Sequence, residues 1–108
     1  MFVRKISFQL KPNTLALFTS TFEKEVLPVL YKQQGFKDVI TFSTPGSSNV
    51  LAISLWDMQK NAETYNSKTY NDVLKMLTNV LESAPKLENT EVLHSTIHEI
   101  RAPRSVAA

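Results

Sequence analysis

The sequence predicts an α+β fold: a four-stranded antiparallel sheet with helices on one face, in the order βαββαβ. Three observations predict it. Four segments carry strand patterning, either alternation or enrichment in β-branched residues. Two longer segments repeat apolar residues every three or four positions, as amphipathic helices do. A turn cluster, Thr44-Pro45-Gly46-Ser47-Ser48, links the middle two strands directly as a hairpin.

Residues 2–10 alternate, with Phe2, Ile6, Phe8 and Leu10 on one face and Val3, Lys5, Ser7 and Gln9 on the other. Lys11-Pro12-Asn13 breaks the strand, and Asn13 is placed to cap the helix that follows. Leu15, Phe18, Phe22, Val26, Val29 and Leu30 give that helix one apolar stripe. Pro28 lies inside it, and proline costs about 3 kcal/mol in a helix interior, so a kink or break is expected near Glu25. Gly35 ends the helix. Residues 36–43 alternate again, with Phe36, Ile40 and Phe42 on one face and Val39 on the other. The third strand, residues 49–56, ends in the chain's single tryptophan, Trp56.

Asp57 is placed to cap a short helix running to about Tyr65. Ser67-Lys68-Thr69 interrupts it, and Thr69 with Asp72 forms a capping-box pattern that restarts it. Val73, Leu74, Leu77, Val80, Leu81 and Ala84 are its stripe, and Pro85 stops it. A polar link leads to residues 91–101, where Val92, Thr96, Ile97 and Ile100 predict the fourth strand. Two β-α-β units sharing one sheet make the arrangement ferredoxin-like. Residues 1–101 form the single expected domain, and residues 102–108 a C-terminal tail.

Composition bounds the function. The chain has 108 residues, enough for one core, with 43% apolar and 20% charged residues, ordinary for a globular protein. The net charge of +2 comes from scattered Lys and Arg, so no clustered patch points to nucleic acid. There is no cysteine, which excludes disulfides, thiolate catalysis and zinc-thiolate sites. No stretch reaches the roughly 18–20 apolar residues of a membrane span. Phe2 onward reads as a strand and not as a leader segment, so a cytoplasmic protein is expected.

The two helices cover one face of such a sheet, yet strand three is apolar on both: Val50, Ala52 and Trp56 on one side, Leu51, Ile53 and Leu55 on the other. The segment read as strand four divides likewise, with Leu93 and Ile97 against Val92 and Ile100. Soluble monomers seldom leave such a patch in water, so a homodimer through the sheet face, burying at least ~1,600 Å², is expected.

The βαββαβ order, the Gly35-Phe36 junction, the strand ending Ser54-Leu55-Trp56, the Ala62-Glu63-x-Tyr65 that follows and the closing β-branched segment resemble the dimeric α/β-barrel superfamily. Within it they are most similar to antibiotic biosynthesis monooxygenase-like domains. The likeness covers about residues 2–100. It implies a dimer whose sheets close into a barrel, with a pocket between the sheet and helices of each subunit. It also implies a cofactor-independent monooxygenase acting on a small phenol, quinol or polyketide-type aromatic. The alternative is a non-catalytic small-ligand-binding or stress-related protein of the same fold. The haem-degrading branch uses an Asn on strand one, a Trp on the helix after strand three and a His soon after. Here the strand-one candidates are Ser7 and Gln9, the helix aromatic is Tyr65, and no histidine lies between Met58 and Leu93.

Trp56 is then a candidate stacking platform, or simply core. Tyr65, Tyr70 and Phe22 are candidate pocket residues, the tyrosines being equally at home on a helix surface. His94 and His98 are the only histidines. Four apart in a strand they stand about 13 Å from each other, too far to share a metal whose bonds are about 2 Å long. No metal and no cofactor is expected. His94 is the candidate general base, against the plainer reading of a solvated histidine.

Overall fold

A computed structural model describes residues 1–97. Four strands form one antiparallel sheet in the order β2-β3-β1-β4: β1 (Phe2–Gln9), β2 (Phe36–Ser43), β3 (Asn49–Trp56) and β4 (Lys86–Glu91). Between β1 and β2 run α1 (Leu15–Thr21), a π-helical turn (Phe22–Val26) and α2 (Leu27–Tyr31). Between β3 and β4 run α3 (Gln59–Lys68) and α4 (Tyr70–Met76).

The break expected near Glu25 is the π-helical turn, and Pro28, which has no N–H to donate to the ladder, follows directly after it in the first turn of α2. The buried residues Phe18, Phe22, Val26 and Leu30 recur every four positions. In an α-helix each four-residue step overshoots one turn by about 40°, so the stripe would drift off the sheet. The wider turn takes up that drift. Asn13 does not cap: it has φ of 60°, a turn conformation that asparagine tolerates, and the helix starts behind Thr14.

Gly35 does not end the helix, since α2 stops at Tyr31 with Lys32 as its C-cap; it sits at the end of the turn that leads into β2. Its φ is 83°, and a Cβ there would lie 2.2 Å from Asp57 Oδ1 and 2.8 Å from Asn61 Cβ. Asp57 Oδ1 accepts a 2.9 Å bond from Asn61 Nδ2 and does not cap α3, whose N-cap is Met58. Thr69 does separate α3 from α4, but its side chain makes no capping bond. The second helical region also ends early, at Met76, with turns continuing to Val80.

Register fixes the faces. Phe2, Arg4, Ile6 and Phe8 stand opposite Trp56, Ser54, Ala52 and Val50, and these rows lie under the helices, in the main core. An irregularity between Phe36 and Asp38 changes the phase of β2, so Phe36 and Val39 share the helix-side face while Ile40 and Phe42 turn away. That corrects the simple alternation of Phe36 with Ile40 and Phe42.

The fourth strand is Lys86–Glu91, the segment read from sequence as a polar link. It is exposed throughout and pairs with β1, Leu87 opposite Ile6 and Asn89 opposite Arg4. An edge strand is held by backbone bonds to one neighbour and can dispense with apolar alternation. Of the expected strand at 91–101, residues 92–97 carry none, apart from one bond from Val92 N–H to the Met1 carbonyl. Of the two-sided pattern expected there, Leu93 and Ile97 are exposed and Val92 packs on Val3 and Leu55, while Ile100, with the rest of residues 98–101 and the tail 102–108, lies outside the described residues.

The sheet's second face is therefore divided. Val3 and Leu55 are buried there beneath Met1, Ile40, Ile53 and Val92, while Lys5 and Glu88 form a 3.4 Å ion pair on the β1–β4 side. Among the described residues no helix is long and apolar enough to cross a membrane.

Candidate functional site

Arg4 is the least expected residue of the helix-side face. The alternation that buries Phe2 and Ile6 also buries the position between them, and Arg4 is 2% exposed. Its Nη1 donates to Asn66 Oδ1 on α3 at 2.8 Å, and its buried Nε and Nη2 have no partner among the described residues. Its guanidinium carbon lies 5.1 Å from the ring centre of Tyr65 and 4.7 Å from that of Tyr70. No carboxylate pairs with it: among the described residues the one ion pair is Lys5–Glu88. Burying a cation costs several kcal/mol, and two desolvated cation–π contacts return about 2 kcal/mol or more each. Burial lowers the Arg4 pKa, opposed by the two phenols. Burial likewise pushes Tyr65 up to about 12 against the pull of Arg4, and raises Tyr70 for the same reason. Both phenols are therefore neutral hydrogen-bond donors near pH 7.

Trp56, Tyr65 and Tyr70 come together, as three of the four candidate pocket residues. The Trp56 and Tyr65 rings are centred 5.1 Å apart, and Tyr65 and Tyr70 6.1 Å apart. Phe36 meets the other side of Trp56 edge-on at 5.6 Å. Trp56 is fully buried, and its Nε1 donates to Ser54 Oγ at 3.0 Å. This row fills the interior between β3 and α3.

Phe22 sits elsewhere. It lines a cleft of about 140 Å³ between the first helical region and the β2 edge, together with Phe18, Thr19, Glu23, Leu27, Val39 and Thr41. The walls are aromatic and aliphatic, two hydroxyls line them, and Glu23 supplies one carboxylate. The cleft opens at the π-helical turn, a feature often found at functional sites. At the opposite edge, a cavity of about 50 Å³ lies beside Arg4, lined by Phe2, Ala62, Glu63, Asn66, Leu87 and Asn89 as well.

His94 is exposed, three residues beyond β4, and lines neither the Phe22 cleft nor the Arg4 cavity. His98 lies outside the described residues. Among the described residues no group of three His, Cys, Asp or Glu could hold a metal. The residue passed over in the sequence is Arg4; Glu23 reads there as part of a solvated helix face and at most a rim residue. The alternation of β1 already placed Arg4 inward; Glu23 does stand on the rim of the Phe22 cleft.

No family model matches the chain, and no curated protein matches it. Solved structures do. A monooxygenase of Streptomyces coelicolor, determined with nanaomycin D, superposes with a TM-score of 0.74 at 14% identity, covering 87% of this chain and 88% of its own. A provisionally named antibiotic biosynthesis monooxygenase of Bordetella bronchiseptica gives 0.72 at 13%, covering 86% and 98%. A Nitrosomonas europaea protein of unknown function gives 0.72 at 15%, covering 89% and 92%. Likeness at such identities speaks for the fold, and leaves substrate and activity to the site. The chain has the ferredoxin-like α+β fold of the antibiotic biosynthesis monooxygenase-like structures.

Proposed function

We propose that this protein binds a single-ring phenol or quinol in the Phe22 cleft and oxygenates it with O₂, without a cofactor. The observation that carries this reading is the cleft itself: aromatic walls, one carboxylate, and a size that suits one ring. A cavity of about 150 Å³ takes benzene, so a polycyclic aromatic is too large for this one. Glu23 removes a phenolic proton, and the electron-rich anion passes one electron to O₂. The radical pair joins as a carbon-bound peroxide, which loses water. For a hydroquinone the sum is quinol plus O₂ to hydroxyquinone plus water. The substrate supplies every electron, so no flavin or metal enters the balance. The protein's part is orientation and a base.

Oxygen uptake with a panel of single-ring quinols tests this. Uptake matched one-to-one by hydroxyquinone is expected; neither uptake nor thermal stabilisation with any of them overturns it. Because Glu23 is, among the described residues, the only ionisable group lining the cleft and is exposed, a non-catalytic binder is the second reading. Stabilisation by quinols without uptake would mark it.

The same proposal includes a homodimer through the open sheet face. Ile40, Phe42, Leu51, Ile53 and Leu55 lie on that face by register, and Phe42 is 48% exposed. Self-association would centre on this β2–β3 half.

A further inference from the structure

We infer that the open face of the sheet carries a second binding site, for an aromatic carboxylate, in a bowl between Phe42 and Lys86. It is separate from the Phe22 cleft, which lies on the helix side, and does not depend on the activity proposed there. The bowl has a volume of about 480 Å³, against about 140 Å³ for the cleft. Ligand pockets run from about 300 to 1,000 Å³, and a cavity of about 150 Å³ already takes benzene. The bowl therefore has room for two fused rings and a polar head. Register builds it. Phe42 stands opposite Leu51, Leu51 opposite Ser7 and Ser7 opposite Lys86, one row across all four strands, and all four residues line the bowl. Gln9 and Asn49, the next pair along β1 and β3 on this face, line it too. The segment before β4 forms a further wall at Ser83 and Ala84, and the Glu82 N–H holds it to the Gln9 carbonyl at 2.8 Å.

The row changes character along its length. Phe42 and Leu51 make one end apolar, and Phe42 is 48% exposed, so its ring is open to a stacking partner. Ser7, Gln9 and Asn49 bring a hydroxyl and two amides to the middle. Lys86 brings an ammonium to the far end, and among the described residues no carboxylate lines the bowl. Glu88, two residues along β4, is paired with Lys5 at 3.4 Å. Three strand spacings, about 14 Å between backbones, separate Phe42 from Lys86, a span that two side chains and a ring bearing a carboxylate fill. A cationic ligand would be repelled by Lys86. A purely apolar one would displace water from the hydroxyl and amides without replacing its bonds. An aromatic carboxylate stacks at one end and is paired at the other. Phe42 and Leu51 also lie in the half of the face proposed for self-association; the bowl takes its ligand whether or not a partner copy is present.

The test is a titration of the whole chain with sodium 2-naphthoate, sodium chloride holding ionic strength constant and 2-naphthamide as the neutral analogue. Two fused rings are too large for the Phe22 cleft, so the outcome is independent of the quinol reading. The readouts are melting temperature and the amide resonances, the side-chain amides of Gln9 and Asn49 included. Saturable stabilisation is expected, with shifts confined to residues 7–9, 42–44, 49–51 and 83–86, and weaker binding of the amide. Lys86→Gln, at an exposed edge-strand position, should weaken naphthoate about fivefold, the worth of one exposed ion pair, and leave the amide unchanged. Absence of binding overturns the proposal, as do shifts confined to other segments. Equal binding of acid and amide also overturns it, since Lys86 would then select nothing. So does binding in Ile53→Asp but not in the wild type, because the partner copy would then cover the bowl.

Discussion

The guanidinium carbon of Arg4 lies 4.7 Å from the centre of the Tyr70 ring, and among the described residues no carboxylate accompanies it. A buried cation held by ring faces and one amide is a costly way to fill a core position. Arg4→Met keeps most of the volume and removes the charge. It leaves Asn66, which is exposed, free to bond water. Urea denaturation should show the variant as stable as the wild type or more so, by about 1 kcal/mol. A loss above about 2 kcal/mol would show that the cation–π contacts outweigh desolvation.

Alkaline pH should unfold the protein early. Tyr65 is pushed up to about 12 in the folded chain against an ordinary value of 10.0, so between those values the unfolded chain has released a proton that the folded one still holds. Stability is therefore whole below about pH 10 and falls as pH rises toward 12, by on the order of 2 kcal/mol. The raised Tyr70 adds in the same direction. Urea midpoints at several pH values would show it, and Tyr65→Phe should flatten the slope.

Gly35 joins the first helical unit to the sheet where no side chain fits. Gly35→Ala must hold a left-handed φ of 83° and displace the Asp57–Asn61 bond. A loss of about 2 kcal/mol is expected, read as a lower thermal midpoint. An unchanged midpoint would mean that both side chains move aside freely.

Two variants separate binding from chemistry in the Phe22 cleft. Phe22→Trp fills it and should abolish stabilisation by quinols. Glu23→Gln should leave that stabilisation intact while cutting oxygen uptake at least ~100-fold, the scale of general-base catalysis. His94→Ala should change neither, because His94 stands in solvent outside the cleft. Loss of uptake in His94→Ala would move the base to that residue.

Sedimentation should show twice the 12.2 kDa chain mass at micromolar concentration. Ile53→Asp places a charge in the middle of the apolar half of the open face and should return the monomer. A wild type already monomeric at that concentration would remove the dimer.

Local pattern alone placed β2 and β3 to the residue, along with β1 and the helical break near Glu25, but it carried the helix to Gly35 where α2 stops at Tyr31. Alternation, proline and glycine act within a few neighbouring residues, so the chain carries these features wherever it folds. The fourth strand was not legible, because Lys86–Glu91 pairs through its backbone and shows no apolar side. Nor was the face of Ile40 and Phe42, because a phase change between Phe36 and Asp38 is decided by pairing with β3. Trp56, Tyr65 and Tyr70 were identifiable as one aromatic group. Their junction with Arg4, and the cleft at Phe22 and Glu23, formed only when α1, α3 and α4 closed over the sheet. The sequence sets each segment's preference; which side chains meet depends on contacts between residues far apart in the chain, such as Arg4 and Asn66, 62 positions apart.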